Sequence, residues 1–199
     1  MQPVYRIAKA ILTVFRLLNP VKVYGKENIP QNGAYILCSN HTSMTDPFFK
    51  ISIFKEQIHF MAKAELFKNG LFRVVLGSAG VFSVDRGKGD MGAINKAQSL
   101  IKEGKILGIY PEGTRHTEGA PRRAKSGVAY IAMDTNADIL PVSVYREGKY
   151  SLFRKTTIRI GKLIKYEDMV NEEATARANM KSIVDTVTNE ITALWEMKH

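Results

Sequence analysis

Cysteine is all but missing from this chain of 199 residues: Cys38 stands alone. No intramolecular disulfide framework can form, and no zinc site built from cysteines. Long apolar runs are missing too. No uncharged stretch approaches the ~18–20 residues that a bilayer span needs. The first apolar stretch, residues 10–15, runs into Arg16 without the small-residue cleavage site of a signal peptide. Acidic residues are scarce, 19 Asp and Glu against 29 Lys and Arg, for a formal charge of +10, and none precedes Glu27. That imbalance implies an anionic partner and leaves nucleic acid, membrane headgroups and phosphorylated substrates open. The histidines at 41, 59, 116 and 199 show no metal-ligand spacing.

What is present describes a folded domain. With 45% hydrophobic and 24% charged residues the chain is neither disordered nor collagen-like. Its length suits one globular unit with at most a short appendage. Near the start, Val4, Ile7, Ala8, Ile11, Phe15 and Leu18 recur at helical spacing and predict one apolar stripe. Arg6, Lys9, Thr13 and Arg16 recur opposite, and Asn19-Pro20 stops the helix. A basic amphipathic helix fits an anionic lipid interface, and equally a helix packed on the domain with its lysines in water. The expected division is a membrane-surface helix over residues 1–20 and an α/β domain over residues 21–199.

Beyond that helix, strands and helices alternate. Residues 34–38 and 106–110 are continuous apolar runs, the pattern of strands buried on both faces. Residues 21–24, 59–61, 81–84, 139–145 and 157–160 are further strand candidates. Helices are expected from Pro47 with Asp46 as N-cap, over about 66–76, from Asp90 to Lys102 with Gly104 as its stop, over 126–136, and from about Glu172 onward. The pattern predicts an α/β fold, a single mixed and largely parallel sheet layered with helices, preceded by the N-terminal amphipathic helix.

Three loops after strands carry unusual polar residues, where sites gather in open α/β sheets. The first holds His41 and Asp46, which can converge across a strand–loop–helix junction. A carboxylate on one ring nitrogen would then leave the other as a base. Otherwise Asp46 is only a helix cap. The second places Arg86 among glycines, suited to clamping a phosphate. The third, Tyr110-Pro111-Glu112-Gly113-Thr114-Arg115, offers a carboxylate, a hydroxyl and a second arginine. Cys38 sits in an apolar strand. Ser39 and Ser43 lack the Gly-x-Ser-x-Gly elbow of a serine nucleophile, and no Gly-x4-Gly-Lys-Ser/Thr loop is present. A His–Asp base without a protein nucleophile remains, near two arginines, so the nucleophile comes from the substrate.

Together these loops resemble the glycerolipid acyltransferase superfamily, most closely its 1-acylglycerol-3-phosphate (lysophosphatidic acid) acyltransferases. Asn40-His41-x4-Asp46 matches the Asn-His-x4-Asp motif, Gly80 through Arg86 the glycine–apolar–Arg motif, and Tyr110 through Arg115 the aromatic-Pro-Glu-Gly-Thr-Arg motif. Leu140-Pro141-Val142 corresponds to a fourth, apolar one. The matches keep the family's order over residues 40 to 142. His116 departs from the serine that many members carry there. Many members also have longer hydrophobic N-terminal segments, which speaks against integral insertion here.

The resemblance implies that His41 removes a proton from the sn-2 hydroxyl of lysophosphatidic acid while Asp46 orients its ring. It assigns Arg86, Glu112, Gly113, Thr114 and Arg115 to the glycerol phosphate. The acyl donor would be a thioester, acyl-CoA or acyl-carrier protein, with no metal and no further cofactor. Leu140-Pro141-Val142 would line an acyl pocket or the core. The expected setting is peripheral, on the cytoplasmic face of a membrane, touching anionic lipid through residues 1–18, with no nucleic acid partner. Two alternatives stay open on the residues alone. One is another acceptor, such as glycerol 3-phosphate or a different lysophospholipid. The other is a non-catalytic basic protein binding nucleic acid or anionic membranes. Its best case is residues 146–165, with seven Lys or Arg against one acid.

Overall fold

Strands that are apolar on both faces have to lie in the middle of a sheet, and three of them do. In the computed structural model, which describes residues 3–78, 80–85, 90–116, 119–148, 151 and 153–197, β2 (Ile36–Ser39) and β5 (Ile106–Ile109) are buried throughout. So is all but the end of β6 (Ile139–Tyr145). β2 pairs in parallel with both, Ile36 facing Leu107 on one side and Ile139 on the other. Beyond β5 come β3 (Ile58–Lys63) and β4 (Phe82–Val84), both parallel. Beyond β6 come β7 (Thr156–Ile160), antiparallel to it, and β1 (Val21–Tyr24), parallel to β7. The seven strands run β1-β7-β6-β2-β5-β3-β4, the single mixed, mainly parallel sheet that the alternation of elements predicts.

Side chains alternate across a strand, so each strand feeds two cores. Ile36, Cys38, Leu107, Ile109 and Ile139 join α4 (Met91–Lys102), α5 (Gly127–Thr135) and α6 (Ala176–Glu196) on one face. Leu37, Ile106, Leu140, Val142 and Val144 meet Tyr5 and Phe49, carried by α1 (Pro3–Leu17) and α2 (Asp46–Ile53), on the other. Leu140 and Val142 are therefore core residues. Gly108 sits where a Cβ would come within 2.4 Å of the Phe60 ring, so its missing side chain lets that ring lie flat on β5.

Local chemistry shifts some element ends. Asp90 caps α4 as expected, accepting from Ala93 N, and Asn136 ends α5 in a left-handed conformation. α6 starts at Ala176, later than expected, because the Thr175 side chain caps it by accepting from Ala178 N. The stretch around 66–76 divides into a 3-10 turn, Ala64–Phe67, and α3 (Gly70–Ser78).

α1 corrects the expected stripe. Its inward face carries Tyr5, wholly buried, and Phe15, stacked on Phe49 with centroids 5.6 Å apart. The Tyr5 hydroxyl accepts from Ile58 N at 3.1 Å, and Lys9 Nζ donates to Lys55 O at 2.9 Å. Ile7, Ile11, Val14, Leu17 and Leu18 point outward instead, each 57 to 71% exposed. The helix is apolar on two arcs, and the inner one packs.

β2 hands the chain to α2 on one face, while neighbouring β5 leads toward α5 on the other. Loops that diverge to opposite faces open a crevice at the carboxyl ends of the two strands, the topological switch point of an open α/β sheet.

Candidate active site

The crevice is built first by an asparagine. Asn40, just past β2, donates from Nδ2 to Val144 O at 2.8 Å and accepts from Val144 N at 2.7 Å. Its amide thus stands in for a backbone unit and extends the β2–β6 pairing by one residue. The next residue, His41, is fixed on two sides by the loop after β5. His41 N donates to Glu112 Oε1 at 3.0 Å, and His116 N donates to His41 O at 2.7 Å.

His41 and Asp46 converge. His41 Nδ1 lies 3.0 Å from Asp46 Oδ2, and Thr42 N and Ser43 N donate to that same oxygen at 2.7 and 2.8 Å. Asp46 is not the N-cap. It occupies the first turn of α2, Thr45 precedes it without a side-chain cap bond, and its carboxylate folds back over its own loop. Burial alone would raise its pKa. The His41 hydrogen bond and the cations Lys50 and Arg146 reverse that and hold it well below the usual carboxylate range. An ionised Asp46 accepts the Nδ1 proton of neutral His41, which leaves Nε2 as the basic nitrogen. Burial lowers the His41 pKa, with Asp46 opposing and Lys50 and Arg115 adding to the fall. The ring lies against Tyr110, centroids 4.0 Å apart, and Tyr110 stacks in turn on Phe60 at 5.8 Å. Gly108 makes room for that column.

The other expected site residues separate. Glu112 is 5% exposed and turns both oxygens to the chain itself, to His41 N and, at 3.3 Å, to Arg122 N. Burial raises its pKa, and the two N–H donors pull it back. Gly113 adopts a left-handed φ of +76° and leaves space into which Lys125 leans, 3.0 Å from an ideal Cβ. Thr114 and Arg115 are exposed at the crevice mouth. Arg86 lies outside the described residues.

The candidate nucleophiles are occupied or inert. Cys38 is fully buried and its thiol pKa is pushed up by that burial. Ser39 donates to Asn40 O, and Ser43 Oγ accepts from Thr45. Among the described residues no group of three or more His, Cys, Asp or Glu could hold a metal ion.

Two site residues escape sequence reasoning. Lys50, one helical turn after Asp46, is fully buried, and its Nζ has no hydrogen-bond partner among the described residues. It lies 5.0 Å from the Tyr110 ring centroid, and burial brings its pKa down to about 8, Asp46 opposing. Spacing of i and i+4 from a candidate acid was the available signal. Arg146, just past β6, is 7% exposed and pairs with Asp46 Oδ1 at 2.7 Å. It heads the basic run, residues 146–165, that reads from sequence as an anion-binding surface. Its place at a strand's carboxyl end was the clue.

In both sequence and fold the chain is similar to known proteins. The chain is 35% identical to the 1-acyl-sn-glycerol-3-phosphate acyltransferase of Bacillus subtilis over 156 residues, covering 77% of each chain. It is also 35% identical, over 130 residues, to the enzyme of that name from Borreliella burgdorferi, covering 64% of this chain and 52% of that one, about half the relative's length. In fold it resembles the crystal structure of the 1-acyl-sn-glycerophosphate acyltransferase of Thermotoga maritima, with a TM-score of 0.71 and 24% identity over 96% of this chain and 80% of that one. The family model described as Acyltransferase matches residues 20–145. That span takes in β2 with His41, the loop after β5 and all of β6, and this chain belongs to the acyltransferase family.

Proposed function

We propose that this acyltransferase moves an acyl chain from a thioester, acyl-CoA or acyl-carrier protein, to the sn-2 hydroxyl of 1-acyl-glycerol-3-phosphate, giving phosphatidic acid. The names of its relatives supply the acceptor class. The observation that carries the chemistry is His41 held by an ionised Asp46, with Ser39, Ser43 and Cys38, the candidate nucleophiles among the described residues, either engaged in hydrogen bonds or buried. Nε2 takes the hydroxyl proton as the oxygen attacks the thioester carbonyl. The tetrahedral intermediate collapses with loss of the thiolate, which recovers the proton from His41. No acyl-enzyme forms, and no cofactor beyond the acyl donor is needed. Arg115 and Thr114 at the crevice mouth, with Arg86 from the loop after β4, hold the acceptor phosphate. Gly113 lets the backbone turn beneath it. Glu112 serves by clamping His41.

Purified protein given palmitoyl-CoA or palmitoyl-acyl-carrier protein with 1-oleoyl-glycerol-3-phosphate should release free thiol and form phosphatidic acid in equal amounts. A panel with glycerol 3-phosphate and lysophosphatidylcholine ranks the acceptors. Turnover of those alone, with none of lysophosphatidic acid, would sink the proposed acceptor.

The outer arc of α1 favours a peripheral setting, and the proposed face is the cytoplasmic one. Five large apolar side chains, Ile7, Ile11, Val14, Leu17 and Leu18, face water, with Arg6 beside them. Among the described residues no helix is long and apolar enough to cross a membrane. Residues 1–20 then act as the surface helix and 21–199 as the catalytic domain. Because Tyr5 and Phe15 pack inward, point changes test this better than deletion. Ile11→Glu with Val14→Glu should cut retention on phosphatidylglycerol vesicles at least tenfold, given ~1.5–3 kcal/mol per apolar side chain buried. Thermal stability should change little. Undiminished retention by the double variant would remove the outer arc from membrane contact.

A further inference from the structure

We propose that Arg146 is a positioning residue for catalysis, a buried guanidinium that fixes the Asp46 carboxylate so that His41 is held as a base. The inference rests on the His41 mechanism above, and it concerns a residue just past the span 20–145 matched by the family model.

The geometry divides the Asp46 carboxylate into two halves. Oδ2 takes His41 Nδ1 and the backbone N–H groups of Thr42 and Ser43. Oδ1 takes Arg146 Nη1 at 2.7 Å and, at 3.4 Å, the Thr42 hydroxyl. Three donors on one oxygen set its position but leave the carboxylate plane free to pivot. The strong charged donor on Oδ1 stops that pivot. The guanidinium is itself immobilised. Nε donates to Thr156 Oγ1 at 2.9 Å, Nη1 also reaches Thr42 Oγ1, and the group lies 5.5 Å from the Phe49 ring centroid. The Arg146 side chain is 1% exposed and that of Asp46 0%. A buried charge is expensive unless it is paired, so evolution of an arginine here needs a use for its fixed geometry. Lysine cannot replace it, because a single ammonium cannot reach Thr156 and Asp46 from one planar fork.

The same charge acts on proton affinity. Asp46 is faced by His41 from its loop, by Lys50 on α2, by Tyr110 from beyond β5 and by Arg146 from beyond β6, with Glu112 nearby. A cation behind Asp46 weakens its pull on the imidazole proton. Removing that cation makes His41 easier to protonate, and the acid limb of kcat/KM moves to higher pH.

The test compares Arg146→Gln and Arg146→Lys with wild type and His41→Ala, using 1-oleoyl-glycerol-3-phosphate and whichever palmitoyl thioester supports wild-type turnover. Arg146→Gln should lose about 100-fold in kcat with KM little changed, as a misoriented catalytic group does, and its acid limb should rise. Arg146→Lys should keep the limb and lose part of kcat. An arginine needed only for folding would lower the melting temperature and leave the limb in place. Wild-type kcat in folded Arg146→Lys and an unmoved limb in Arg146→Gln overturn the assignment. Where the Gln variant does not fold, the Lys variant's kcat alone decides. Activity surviving in His41→Ala would instead overturn the underlying mechanism.

Discussion

His41→Ala is expected to lower kcat by ~100- to 10,000-fold, the range for loss of a general base, while the protein stays folded. The ring is buried against Tyr110, so its removal leaves a void there, and Asp46 keeps its pairing with Arg146. Thiol release from the acyl donor is the direct readout. A rate in the alanine variant close to that of wild type would end the base assignment. The wild-type pH profile carries the same information. Burial lowers the His41 pKa below the ordinary histidine value, so the base stays unprotonated further into acid. Activity should hold through neutral pH and fall only as pH drops through that lowered value. A limb above the ordinary histidine pKa contradicts the geometry.

Asp46→Asn should be nearly as damaging to rate and more damaging to stability. An amide must turn its NH2 either toward Arg146 Nη1, donor against donor, or toward Thr42 N, Ser43 N and His41 Nδ1, and in the second pose Nδ1 meets a donor where it had an acceptor. The proton then moves to Nε2, the nitrogen needed as base. Such a tautomer error costs about 10,000-fold where it has been isolated. The same change leaves Arg146 and Lys50 facing a neutral group, and breaking a buried pair costs about 3–5 kcal/mol. Lys50, with its pKa already near 8, can shed its proton and soften part of that loss. Chemical denaturation gives the stability term, and kcat measured where the variant is fully folded gives the catalytic one. A kcat within tenfold of wild type would show that Asp46 is structural only.

Much of this arrangement is legible in the residues, for reasons that can be located. Residues 34–38 and 106–110 are continuous apolar runs, and only the middle of a sheet satisfies that. His41 and Asp46 read as a pair because a strand–loop–helix junction folds five residues back on themselves. What stays hidden is direction. α1 carries apolar residues on two arcs, and composition cannot say that Tyr5 and Phe15 pack while Ile7 and Ile11 do not. Glu112 has the chemistry of a ligand-binding residue, yet two backbone N–H groups claim it. Arg146 belongs to a run of cations, and only the pairing of β6 with β2 turns it inward beside Asp46, 100 residues earlier in the chain. Long-range partners of this kind are set by topology, which local pattern does not encode.

The clamps on His41 also impose an order in time. α1 meets α2 and β3 through nearby stretches of chain, Phe15 against Phe49 and Tyr5 against Ile58, but that face closes only when Leu140, Val142 and Val144 of β6 arrive. The histidine is not set until Glu112 and His116 grip its backbone, and Asp46 is not locked until β6 and Thr156 bring in Arg146. On a ribosome, therefore, the His41–Asp46 pair is locked only after β7 has been made.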